Sequence, residues 1–218
     1  MSEFDRFFTL EEINPKLKIL QERFDEIHQE LLENKDKLHF LNWGGEAGYY
    51  MREDIAYKGW KVAPLYGNFH DFAQINGGIK PYLPLIEVQG DLVKIKQNTS
   101  LLPVLTEILI ECGIRKRVGI SVVDPGKEIG WHIDPDPEKF RWAIIRGLFG
   151  LDVVEEEGKE SFIYLKSNSG ENQKRVFKNK EFVFLWGRTE HKVENHLSRP
   201  RYMICFDEEI EKDYLRSL

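Results

Sequence analysis

From about residue 118 to residue 206 the apolar residues come in short runs cut by turn residues, and this restricts the fold more than anything else in the chain. The runs predict strands over 118–123, 142–154, 161–165, 175–177, 181–186 and 201–206. A Pro125-Gly126 turn follows the first, and Lys178-Asn179-Lys180 joins the fourth to the fifth. Many short strands with tight turns fit antiparallel sheets that cover one another. The expectation is therefore a mainly β fold with supporting α-helices, a double-stranded β-helix of the jelly-roll, cupin-like kind, rather than a parallel βαβ unit.

Upstream the periodicity is helical. After Asn14-Pro15, the residues Leu17, Leu20, Phe24, Ile27 and Leu31 recur at three- and four-residue steps, which predicts one amphipathic helix over 15–35. Leu101, Leu102, Leu105, Ile108, Leu109 and Cys112 predict a second over 100–112, closed by Gly113. Between them, residues 41–90 are broken by Gly44-Gly45, Gly48, Gly59, Gly67 and Gly77-Gly78, with Trp43, Tyr49, Tyr50, Trp60 and Tyr66 interspersed. We expect irregular strands and loops there, a short strand over 61–66 ended by Gly67, and core packing for most of the aromatics. The segment 41–78 is also a candidate rim around an amino-acid-sized or peptide-sized ligand. A chain of 218 residues suits one domain. Its expected parts are a helical and irregular support region (1–114), a β-helix core (115–208) and an acidic C-terminal tail (209–218).

The formal charge of −6 argues against a surface that coats nucleic acid, which needs an excess of Lys and Arg. Two cysteines, Cys112 and Cys205, both in apolar settings, point to reduced thiols rather than a disulfide framework. The start, Met1 to Arg6, lacks the parts of a signal peptide, and no 18-residue apolar run follows, so the expected location is cytoplasmic with no membrane contact.

Two segments carry chemistry: Gly130-Trp131-His132-Ile133-Asp134, and Glu190-His191-Lys192-Val193 followed ten residues after His191 by Arg201. On a regular strand His132 and Asp134 would share a face, and with His191 they match the two imidazoles and one carboxylate of a facial triad for non-haem Fe(II). Such a triad leaves coordination positions open. Arg201 opens an apolar strand, and beside the metal it could clamp a carboxylate bidentately. His196 is a rival to His191, whereas His28, His39 and His70 have no comparable setting. Zn(II) is the alternative metal, with hydrolysis by an activated water as its chemistry.

These residues resemble the aspartyl/asparaginyl β-hydroxylase family of Fe(II)- and 2-oxoglutarate-dependent oxygenases. The resemblance covers roughly 115–208, with weaker echoes in 59–65 and 98–109. Its signature is SVVDPGKEIGWH from Ser121 to His132, then FVFL from Phe182 to Leu185, HKV from His191 to Val193, and RYMICFD from Arg201 to Asp207. It implies that His132 and His191 bind the metal, that Arg201 holds the far carboxylate of 2-oxoglutarate, and that Ser121 helps. Where the family has a further co-substrate-contacting histidine, Arg146 takes its place here, with Arg141 as rival. The H-x-D form given by Asp134 resembles bacterial members that hydroxylate free proline and supplies a third metal ligand. The implied reaction uses O2 to convert 2-oxoglutarate to succinate and CO2 while hydroxylating an amino acid or a peptidyl or protein side chain. Two rival readings are a noncatalytic cupin-like binding module whose ligand pairs with Arg201, and a zinc-dependent hydrolase.

Overall fold

The side chains of five neighbouring strands alternate between two different apolar layers, which is how one sheet comes to be covered on both faces. In the computed structural model, which describes residues 4–42, 59–68, 86–134, 141–167 and 170–218, these strands belong to a large antiparallel sheet. The strands are β1 (Leu41–Asn42), β2 (Trp60–Asn68), β3 (Ile86–Gln89), β4 (Leu92–Ile95), β5 (Val118–Val123), β6 (Lys127–His132), β7 (Trp142–Asp152), β8 (Ser161–Leu165), β9 (Gln173–Val176), β10 (Phe182–Trp186), β11 (His191–Asn195) and β12 (Arg201–Glu211). The large sheet has the order β10-β7-β12-β5-β2-β4-β3, with β1 on β2, and a second sheet has the order β6-β11-β8-β9. The chain is thus mainly β, with the two antiparallel sheets of a double-stranded β-helix.

Along β12, Tyr202, Ile204 and Phe206 pack toward the helices, while Met203 joins the layer between the sheets. Ile120 and Val122 of β5 and Phe184 of β10 face the helices, whereas Val123, Val183 and Leu185 meet Ile129, Ile163, Leu165 and Val193 of the second sheet. The strand period of two thus delivers one set of side chains to a helix-backed core and the other to an inter-sheet core. Asn195 ties the sheets at one end: its amide donates to the carbonyls of Val123 (2.8 Å) and Asp124 (3.2 Å).

The expected helix over 15–35 is interrupted. A 3-10 turn at Pro15–Leu17 and helices at Lys18–Glu22 and Phe24–Asn34 are separated at Arg23, whose φ of −101° and ψ of 23° leave the helical region. The apolar stripe survives the break, since Leu17, Leu20, Phe24, Ile27 and Leu31 are all buried. The second helix begins at Pro103 rather than near 100, because the residue before a proline is pushed out of the α region; Leu102 has φ −128° and ψ 55°. Glu30 then caps it from outside, accepting the backbone N–H groups of Val104 (2.9 Å) and Leu105 (3.1 Å).

Four segments differ from expectation. The strand expected over 61–66 runs from Trp60 through Gly67 to Asn68, and it lies between β5 and β4, well inside the large sheet. β6 and β11 form from the mixed runs KEIGWH and HKVEN, which carry little β-branched signal but are paired by their neighbours. Residues 209–211, the start of the expected acidic tail, continue β12 opposite β7, and a helix at Lys212–Ser217 follows, with Lys212 and Leu215 buried. Their charges are matched by Lys116 to Glu209 (3.4 Å) and Arg141 to Glu211 (3.3 Å). Most of the candidate rim 41–78, including Trp43, Tyr49 and Tyr50, lies outside the described residues, as does His70. Among the described residues, no helix is long and apolar enough to cross a membrane.

Candidate metal centre

His132 ends β6 and His191 opens β11, and the two are direct partners in the ladder. Their rings lie 4.2 Å apart between centroids. In each ring Nδ1 is 2.8 Å from a backbone carbonyl two residues back, Gly130 for His132 and Thr189 for His191. A carbonyl can only accept, so Nδ1 carries the proton and Nε2 keeps its lone pair. That tautomer is the one a metal needs.

Asp134 lies two residues past the end of β6, so strand periodicity does not bring it in. Its backbone N–H donates to the carbonyl of Gly187 just after β10 (2.9 Å), which ties this point of the chain to the end of that strand. One ligand atom from each of His132, Asp134 and His191 lies within 4.8 Å of the other two, and all three residues are buried. Two imidazole nitrogens and a carboxylate form a mixed donor set that fits a divalent transition metal and leaves positions for other ligands. Burial, with His132 beside it, lowers the His191 imidazole to about 4, so the neutral ligand form prevails. Burial alone would raise Asp134, but the Arg146 guanidinium and both imidazoles hold its carboxyl below the ordinary value.

The opposite wall comes from the large sheet. Arg201, 3% exposed, lines the same pocket as the triad, and its Nε and Nη1 have no hydrogen-bond partner among the described residues. Its guanidinium rests 4.3 Å from the centroid of the Phe177 ring, and burial pushes its pKa down to about 9. An uncompensated buried cation is costly, which makes this a place for an anionic group. Ser121 on β5 lines the pocket as well, its Oγ accepting the indole N–H of Trp60 at 3.0 Å. The pocket thus joins a metal-type donor cluster to an anion-type cation.

The sequence matches the family model for aspartyl/asparaginyl beta-hydroxylases over residues 21–209. The chain belongs to this family. No curated protein matches it in sequence. Among solved structures, it is similar to a prolyl hydroxylase from Trichoplax adhaerens in complex with a hypoxia inducible factor oxygen degradation domain peptide fragment. The two are 15% identical over 90% of this chain and 81% of that one, with a TM-score of 0.48. It is also similar to a Pseudomonas putida prolyl-4-hydroxylase, 11% identical over 87% of this chain and 96% of that one, with a TM-score of 0.45. Membership in the β-hydroxylase family rests on the sequence match.

His132, Asp134, His191, Arg201, Ser121 and Arg146 all line one pocket. Arg146 is already engaged, however: Nε donates to Asp207 Oδ1 (2.5 Å), and Nη2 lies 3.3 Å from Asp134 Oδ2. The rival Arg141 is at the surface with Glu211, its side chain 71% exposed. His196 lies outside the pocket, with Nε2 2.9 Å from Glu194 and its ring near Phe162. Sequence reasoning placed Trp60 among the aromatics of the candidate rim, most of them expected to pack in the core, and did not single out Phe177. Asp207 closed the quoted RYMICFD run without a role. Same-face spacing along β12 links Asp207 to Arg201 and was the one available signal.

Proposed function

We propose that this protein is an Fe(II)- and 2-oxoglutarate-dependent dioxygenase that hydroxylates an amino acid or a peptidyl or protein side chain, releasing succinate and CO2. The observation that carries the reading is Arg201: a buried guanidinium with open donors, facing the same pocket as a His-Asp-His cluster whose histidines expose Nε2. A dicarboxylic co-substrate with one end at the metal and the other at a fixed cation suits this pairing.

His132, Asp134 and His191 would hold the metal from one side, and bound iron supplies the oxygen-activating redox chemistry that these side chains lack. Arg201 pairs with the distal carboxylate of 2-oxoglutarate through its planar fork. Ser121, whose oxygen already accepts from Trp60, has its own proton left to donate to that carboxylate. Phe177 supports the guanidinium from beneath, and Leu148, Ile163, Leu185 and Val193 make the remaining wall apolar, which limits water around the reacting groups. Each role is one of binding, orientation or exclusion.

The test is anaerobic reconstitution with Fe(II) and 2-oxoglutarate, followed by oxygen and a panel of free amino acids and peptides, with succinate and product mass monitored. Substrate-dependent succinate formation with one added oxygen atom is the expected result. Ligand binding without turnover would favour the binding module, and oxygen-independent hydrolysis with Zn(II) would favour the hydrolase.

A further inference from the structure

The proposed reaction makes no use of Asp207, yet this carboxylate is only 2% exposed and sits between two guanidinium groups. Arg117 donates from Nε to Oδ2 at 2.7 Å, its Nη2 lies 2.7 Å from the same oxygen, and Arg146 donates from Nε to Oδ1. The far side of Arg146 faces Asp134, Nη2 to Oδ2 at 3.3 Å, while the other oxygen, Oδ1, lies 3.9 Å from Nε2 of His132. Positive and negative groups therefore alternate in the order Arg117, Asp207, Arg146, Asp134 and end at the metal-type cluster.

The sheet builds this row. Asp207 on β12 is the direct partner of Arg146 on β7, so their side chains leave the same face at adjacent positions. On the other side, the Asp207 N–H donates to the Arg117 carbonyl at 3.1 Å, just before β5 begins. The row crosses three neighbouring strands at one level. Arg146 is held at Nε by a carboxylate that is itself fixed by Arg117, so its Nη2 has little freedom to leave Asp134.

We propose that Arg146 is a positioning residue for the Asp134 carboxylate, with Asp207 and Arg117 holding it in place, rather than a contact for the co-substrate. This inference rests on the metal reading of the triad. The pairing of Asp134 Oδ2 with Arg146 is one of charge at 3.3 Å, without a hydrogen bond, and it leaves Oδ1 on the side of His132, so the guanidinium biases the carboxylate toward this orientation. Groups that orient metal ligands in this way are commonly worth 10–100-fold in metal affinity.

In R146Q charge and positioning act in opposite directions, and that makes this variant the decisive one. Removing a cation near a divalent metal relieves Coulomb repulsion and by that alone should tighten metal binding, whereas loss of positioning should weaken it. Co(II) is titrated into the metal-free wild-type protein, R146Q, R146K and D207N, with the absorption bands of bound Co(II) and the affinity of each Co(II) complex for 2-oxoglutarate read in parallel, and circular dichroism checking the fold.

We expect R146Q to lose about 10–100-fold in Co(II) affinity with altered absorption bands. D207N should shift in the same direction. R146K, which keeps the charge but not the fork, should fall between R146Q and wild type, and it carries the test if R146Q does not fold. Unchanged or tighter Co(II) binding with an unchanged spectrum in the folded variants overturns the inference. So does intact Co(II) binding with selective loss of 2-oxoglutarate affinity, which would make Arg146 a co-substrate contact. Wild-type protein that binds no Co(II) would instead overturn the metal reading itself.

Discussion

His132 and His191 face each other across the β6–β11 ladder, and each ring is oriented by the carbonyl two residues before it in its own chain. Because those orienting groups belong to the backbone, the site's tautomers are built into the strand ends and do not depend on a further side chain. Replacing either histidine with Ala should abolish stoichiometric Fe(II) binding and all iron-dependent turnover. Calorimetric metal titration of each purified variant checks this, and full metal occupancy in H132A or H191A would remove that residue from the ligand set.

Arg201 should dominate co-substrate affinity. Truncation leaves a buried carboxylate unpaired, so R201A is expected to weaken 2-oxoglutarate binding by roughly 2–5 kcal/mol. R201K should also bind poorly, because an ammonium cannot reproduce the two-donor fork. F177L keeps an apolar side chain in the inter-sheet core but removes the cation–π support, worth about 0.5–2 kcal/mol, and should shift the binding constant less. Titrations of the anaerobic iron complex give all three values, and equal binding by wild type and R201A would exclude the role.

Trp60 should act through Ser121. In W60F the ring remains in the core, but the 3.0 Å hydrogen bond that directs the Ser121 hydroxyl is lost. The expected cost is about 0.5–1.5 kcal/mol of 2-oxoglutarate binding, with metal affinity unchanged. If W60F and S121A together weaken binding by the sum of their separate effects, the two residues are not coupled.

Stability should carry a pH signature from Glu208. Burial raises its carboxyl to about 6 from the ordinary 4.5, and the Asn14 amide, 2.6 Å away, opposes the rise only in part. A raised acid pKa means the folded state binds the proton more tightly. Its stabilising contribution is thus fully present below about 4.5 and is lost as pH climbs through about 6. E208Q keeps an acceptor for Asn14 without the charge. Relative to wild type it should gain on the order of 1–2 kcal/mol between pH 4 and pH 7.5, measured by urea unfolding. A stability difference that is flat across that range would contradict this.

Gly150 should be intolerant of any side chain. A Cβ there would lie 1.8 Å from the backbone carbonyl oxygen of Lys178, and backbone cannot step aside as a flexible side chain can. G150A is expected to cost about 1–3 kcal/mol or more of stability. G130A, where a Cβ meets nothing within 4 Å, is the control and should be nearly neutral in thermal unfolding. Equal melting temperatures for the two variants would show that the 178–179 segment yields.

What could be read from the sequence was what is encoded locally. The strands Val118–Val123 and Ser161–Leu165 have the expected bounds, and the stripe from Leu17 to Leu31 is buried as its spacing implied, because side-chain period and turn residues are properties of neighbouring positions. His132, Asp134, His191, Arg201 and Ser121 were visible as residue types in a recognisable order.

What only the tertiary structure decided were relations between residues far apart in the chain. β6 and β11 are strands because partners complete their hydrogen bonds, not because KEIGWH or HKVEN prefers extended backbone. Asp134 reaches the histidines through a backbone bond to Gly187 rather than through strand alternation. Arg146 looked in sequence like a cation available to a ligand, and sheet register set Asp207 directly opposite it, 61 residues away. Composition and spacing determine which groups a chain possesses and which face each one takes. The pairing of distant strands determines which of those charges meet, since a buried charge takes its role from the counter-charge that packing places beside it.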